Sequence, residues 1–130
     1  MNAQKKSAPK KTKKSAKTAN PLDAFFAAAQ KSIDDKDWEK VEEACEAVLD
    51  KDTEVPEVLF VLSLVAFHLD DLALAATHAS RAFELQASVR EHALLLSVYY
   101  ALAGDINNSA YYAKLVYALP TNETLANLIP

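Results

Sequence analysis

Glycine is almost missing from this chain of 130 residues: Gly104 is the only one. Phosphate-cradling loops, dinucleotide fingerprints and glycine-turned hairpins each need several glycines, so these are excluded. Cysteine also occurs once, as Cys45, which rules out an intrachain disulfide and a cysteine-based zinc knuckle. No stretch of about 18 apolar residues is free of charge, so no membrane-spanning helix is expected. The first residues carry lysines with no apolar core behind them, unlike a secretory signal. They lack the arginines and the amphipathic pattern of a mitochondrial presequence. The expected compartment is therefore a reducing cytoplasm. Runs of β-branched residues are scarce, whereas Ala and Leu abound, which is a helical composition.

Charge is distributed unevenly. Residues 1–20 hold seven lysines and no acid; the formal total is −4, so residues 21–130 carry −11. The arm has no large apolar residue after Met1 and cannot offset the entropy of ordering, so it is expected to be disordered. Order is expected from Asn20-Pro21, with proline in the first turn of a helix. Beyond it, apolar residues recur at steps of three and four in segments of 12–16 residues. The breaks fall at Asp34–Asp37, at Asp50–Pro56, at Asp70-Asp71, before Val89, at Gly104-Asp105 and at Pro120. This pattern predicts six helices joined by short turns, with no strands, and a short seventh helix after Thr121 or Asn122.

The segments repeat. Trp38, Leu72 and Ile106 each follow an aspartate and lie 34 residues apart. The same offset relates Val41, Ala75 and Ser109. It relates Cys45, Ala79 and Ala113, and also Leu49, Phe83 and Tyr117. In the first helix of each pair it relates Phe25, Leu59 and Ala93, and then Ala29, Ser63 and Ser97. A plain bundle has no reason to keep such a period.

On these residues the sequence resembles the tetratricopeptide-repeat (TPR) family, whose unit is a helix–turn–helix of this length. Ala29, Ser63 and Ser97 match the small residue at the family's eighth position, and Val41, Ala75 and Ser109 the small residue at its twentieth. Its turn glycine appears only as Gly104, with Lys36 and Asp70 in the other units; its closing proline appears only as Pro120, one position early. The resemblance implies an all-α fold, a right-handed α–α superhelix of three repeats (about 22–55, 56–89 and 90–123) plus a short C-terminal helix.

It also implies a concave groove lined by the first helix of each unit. The family's groove positions fall here on Asp23, Phe26, Gln30, Ile33 and Asp34, on Glu57, Phe60, Leu64, Phe67 and His68, and on Glu91, Leu94, Val98, Ala101 and Leu102. Family members that grip acidic chaperone tails use lysine, arginine and asparagine there, and that clamp is absent. The expected site is therefore an apolar groove of Phe26, Gln30, Ile33, Phe60, Leu64, Phe67, His68, Leu94, Val98 and Leu102. Packing between repeats is an equal reading for Phe26, Phe60 and Phe67. The acids Asp23, Glu57 and Glu91 sit near helix starts, where the helix dipole accounts for them; selection of a basic partner is the alternative.

Nothing in the sequence resembles an active site. His68, His78 and His92 lack metal-ligand spacing, so no metal or cofactor is expected. Cys45 reads as a buried thiol, and Glu39, Glu42, Glu43 and Glu46 as the wet face of one helix. The lysine arm has no arginine or aromatic residue for base readout, which leaves salt-sensitive contact with polyanions or a tether.

The expected function is a non-enzymatic chaperone or adaptor that binds an apolar segment of a partner protein. Its architecture is similar to the small TPR chaperones of type III secretion. Two rival readings are the recruiting front of a larger glycosyltransferase or methyltransferase, and a polyanion-binding protein acting through the arm. Self-association through the end helices is a further open reading.

Overall fold

A computed structural model describes residues 22–130; the lysine-rich arm lies outside the described residues. These residues form seven α-helices and, among themselves, no strand. The helices are α1 (Asp23–Asp34), α2 (Trp38–Leu49), α3 (Pro56–His68), α4 (Leu72–Leu85), α5 (Arg90–Leu102), α6 (Ile106–Ala118) and α7 (Glu123–Leu128). The first six pack in chain order, each against the next, as three antiparallel hairpins.

Each hairpin is closed by the same device, repeated at 34-residue intervals. The first helix ends in a left-handed residue: Lys36 (φ 57°), Asp70 (φ 65°) or Gly104 (φ 84°). The N–H of the next residue, Asp37, Asp71 or Asp105, then reaches back to the carbonyl of Ser32, Ala66 or Tyr100 at 2.8–2.9 Å. This is the Schellman closure of a helix C-terminus. The same aspartate caps the second helix. Asp37, Asp71 and Asp105 accept from the backbone N–H of Lys40, Leu74 and Asn108 at 3.3, 3.1 and 3.2 Å. One residue thus serves the orphan carbonyls of one helix and the orphan amides of the next. The conformation of the three aspartates agrees closely, with φ between −90° and −106° and ψ between 78° and 81°.

Small residues make the tight helix packing possible. Ala29 and Ser63 are fully buried, as are Val41 and Ala75 on the second helices. Where a hydroxyl replaces a methyl it is satisfied by a backbone carbonyl: Ser63 donates to that of Phe60 on its own helix at 2.6 Å, and Ser109 on α6 to that of Ser97 on α5 at 2.8 Å. The centre of the molecule is α3. Every residue from Val58 to Ala66 is buried, because α2, α4 and α7 all pack on it. Such a helix is apolar all round rather than on one stripe.

The seventh helix breaks the sequence of neighbours. Leu119 is extended (φ −106°, ψ 148°), and Pro120 follows with no N–H to continue α6. The chain turns back and lays α7 against α1 and α3. Leu125 and Leu128 are buried there, and Asn122 caps the helix by accepting from the Leu125 N–H at 3.1 Å.

The hairpin corners lead to a set of expected stabilities. Lys36→Gly and Asp70→Gly should each stabilise the protein by about 1 kcal/mol, because a Cβ is strained at positive φ. Gly104→Ala should cost about 1 kcal/mol although nothing lies within 4 Å of the added methyl, since the penalty is in the backbone. Asp71→Ala should cost about 1 kcal/mol through the lost cap. Urea denaturation of the four variants measures all of these.

Candidate functional site

The positions expected to form one groove divide into four groups. Ile33 and Phe60 are buried in the core, at 3% and 0% exposure. Phe26 and Gln30 are half-buried on α1, and Gln30 donates to Asp34 on its own helix at 3.0 Å. Leu102 is exposed at the end of α5. The remaining positions come together. Leu64, Phe67, His68, Leu94 and Val98, with Leu95 and Tyr99, line a cleft of about 230 Å³ between α3 and α5. Its far wall is the chain's own C-terminus, Ile129 and Pro130. The segment from α7 onward therefore packs beside α1 and α3 and leaves this cleft at its end.

The walls of the cleft are apolar and held in place from behind. The Phe67 ring lies 5.5 Å from that of Tyr99, and Tyr99 donates to the Ser63 carbonyl at 3.3 Å. His68 stands at the rim, its ring stacked on Trp38 at 4.2 Å with only 7° between the planes. Partial burial lowers its pKa from the ordinary histidine value, so it is neutral above that range and adds no fixed charge to the cleft. The cleft offers a place for apolar side chains.

Below the cleft lies a polar network that sequence reading did not anticipate. Glu91, read as a helix-dipole acid, is fully buried. Its Oε1 accepts from the Asn122 backbone N–H at 2.7 Å, and its Oε2 lies 3.3 Å from the Arg90 guanidinium. The Arg90 N–H donates to the Pro120 carbonyl at 3.2 Å. The start of α5 therefore fastens the turn that leads into α7. Pro120 and a cap at Thr121 or Asn122 foretell a short seventh helix of polar character, whereas Leu125 and Leu128 are in fact buried. These residues carry no signal for the partner of Glu91, which is 31 residues away.

His92 is also fully buried, edge-on to Phe60 at 5.6 Å. Its Nε2–H donates to Gln86 Oε1 at 2.8 Å, and the Gln86 amide donates to Glu57 at 3.3 Å. His92 Nδ1 is buried and has no hydrogen-bond partner among the described residues. Burial pulls the His92 pKa down to about 4, because a second proton would sit on this uncompensated nitrogen. Cys45 is buried too, and burial, reinforced by Glu42 and Glu46, pushes its thiol up to about 12. It stays protonated and unreactive at neutral pH. Among the described residues no group of three His, Cys, Asp or Glu side chains is placed to hold a metal ion, and no helix is long and apolar enough to cross a membrane.

No protein-family model matches the chain, and no match is found among curated proteins.

Two outcomes are expected from the network. Between pH 6.5 and about 4 the unfolded chain binds a proton at His92 that the folded protein refuses, so stability falls as pH falls through this window. The loss attributable to His92 is about 3 kcal/mol, levelling off below pH 4, and is read as the difference between wild type and His92→Gln in urea titrations at stepped pH. Glu91→Ala should leave the Asn122 N–H unpaired and loosen α7 by about 1–3 kcal/mol. Hydrogen exchange should then accelerate in residues 123–128 before it changes in α3.

Proposed function

We propose that the protein is a non-enzymatic interaction module of TPR-like architecture, whose cleft between α3 and α5 receives an apolar segment of a partner protein. The recurrence of cap, left-handed residue and aspartate every 34 residues supports reading the three hairpins as a right-handed superhelical stack of TPR-like units. The observation that carries the functional reading is the cleft itself. Its lining of Leu, Phe, Val, Tyr and Ile side chains, with one neutral histidine at the rim, is open to solvent and chemically suited to anchors such as leucine or phenylalanine. At about 230 Å³ it lies below the range of about 300–1,000 Å³ typical of small-molecule sites. That size fits one or two side chains of a protein segment better than a substrate.

A chaperone or adaptor is the corresponding biological role. The acidic character of residues 21–130 adds electrostatic steering toward basic partners, while the apolar walls supply the contact. The affinity of one such cleft is modest. Each buried anchor contributes about 1.5–3 kcal/mol before ordering costs, so additional contacts along the rim set the final strength.

Val98 is the side chain on which to test this, because it lines the cleft while remaining 40% exposed, so a charge there does not disturb the core. Affinity capture from the source cells with wild-type and Val98→Glu protein should show at least about a tenfold loss of the specific partner, with unchanged helicity by circular dichroism. Equal recovery by both proteins rejects the cleft as the binding site.

A further inference from the structure

The repeat makes one surface conspicuous. In the first two hairpins the second helix is covered by the helix that follows it: α3 packs on α2 and α5 packs on α4. Cys45 and Ala79 are buried as a result, at 0% and 1% exposure, and Trp38, Leu72, Leu49 and Phe83 are partly buried. In the third hairpin no helix among the described residues takes the corresponding place, because α7 turns away to α1 and α3. The equivalent residues on α6 are left bare: Ile106 is 68% exposed and Tyr117 93%, and Ala113 is only half-buried. Ile106, Ala110, Ala113 and Tyr117 follow one another at steps of four, three and four, so they form a single stripe along α6. A shallow cleft of about 260 Å³, walled by Leu94, Val116 and Tyr117, runs beside it.

The stripe has two properties that a second copy of the chain can satisfy. Its spacing reads the same in both directions. An antiparallel copy of α6 turned about a two-fold axis midway between Ala110 and Ala113 sets Ile106 against Tyr117 at both ends and alanine against alanine in the middle. Small residues at the crossing let the two backbones approach closely. The second property is charge. The protein has 18 acidic residues, yet α6 contains none, and its single charged side chain is Lys114. Two copies can meet on this flank without the repulsion that their acidic bodies impose elsewhere, and under that axis each Lys114 falls opposite Ser109 of the other copy.

We propose that this flank of α6 is a homodimer interface in which two copies pack α6 against α6, antiparallel, about a two-fold axis between Ala110 and Ala113. A two-fold contact uses one patch twice, which is the requirement a palindromic stripe meets. The proposal is independent of the cleft between α3 and α5, which is a separate surface.

Sedimentation equilibrium of the full chain tests it. Wild-type protein at roughly 100 µM is expected to be dimeric, and to remain so in about 1 M salt because the contact is apolar. Tyr117→Glu is expected to weaken the dimer at least about tenfold while circular dichroism shows the same helicity, since this side chain touches little of its own fold. Orientation is read by disulfide trapping, with Cys45 silent because it is buried. Chains carrying Ile106→Cys mixed with chains carrying Tyr117→Cys should cross-link. Each variant alone should not, because identical positions then lie about 16 Å apart along the helix axis. A monomeric wild type, a dimer that dissolves in salt, a Tyr117→Glu variant as dimeric as wild type, or cross-linking of either single variant as readily as the mixture would each overturn the proposal.

Discussion

The architecture depends on one aspartate used twice at each hairpin corner. A helix end leaves backbone groups without partners, and two ends meeting in a three-residue turn double the problem. Asp37, Asp71 and Asp105 answer it with a backbone N–H for the helix behind and a carboxylate for the helix ahead. The turn can then be as short as it is, which brings the paired helices side by side and sets where Ala29, Ser63, Val41 and Ala75 become buried. Glycine is dispensable at two of the three left-handed positions because the surrounding hydrogen bonds overdetermine the conformation of Lys36 and Asp70.

Stacking such corners produces a helix that is buried on every side. Continuous burial of α3 from Val58 to Ala66 means that this helix has little face left to offer a partner. What remains available lies at its C-terminal end, where Phe67 and His68 emerge beside α5. The functional reading therefore rests on the periphery of α3 rather than its length. Access there is bounded by Ile129 and Pro130 of the same chain.

Much of this was legible from spacing alone. Approximate helix limits, the recurrence at 34 residues and a short helix after Thr121 or Asn122 all follow from interactions within a few residues, which a sequence displays directly. The path of α7 was not legible, because it depends on the pairing of Glu91 with the Asn122 amide across 31 residues and on apolar surface contributed by α1 and α3. An acid in the first turn of a helix has the same sequence signature whether it faces solvent or receives a buried amide. Groove positions carried over from a family pattern were equally ambiguous. Phe60 and Phe67 are both aromatic residues on α3, yet the first is sealed in the core and the second lines an open cleft.

The returning α7 also changes how the molecule should come apart. A linear array of hairpins touching only their neighbours melts like beads unthreading from either end, each unit with its own local stability. Here the last segment rests on the first and second hairpins and is tethered at the head of the third through Glu91 and Arg90. That clasp couples both ends of the array to its middle. Fraying at one terminus then removes support from the other, and a chain built of quasi-independent modules acquires the cooperativity of a single globule.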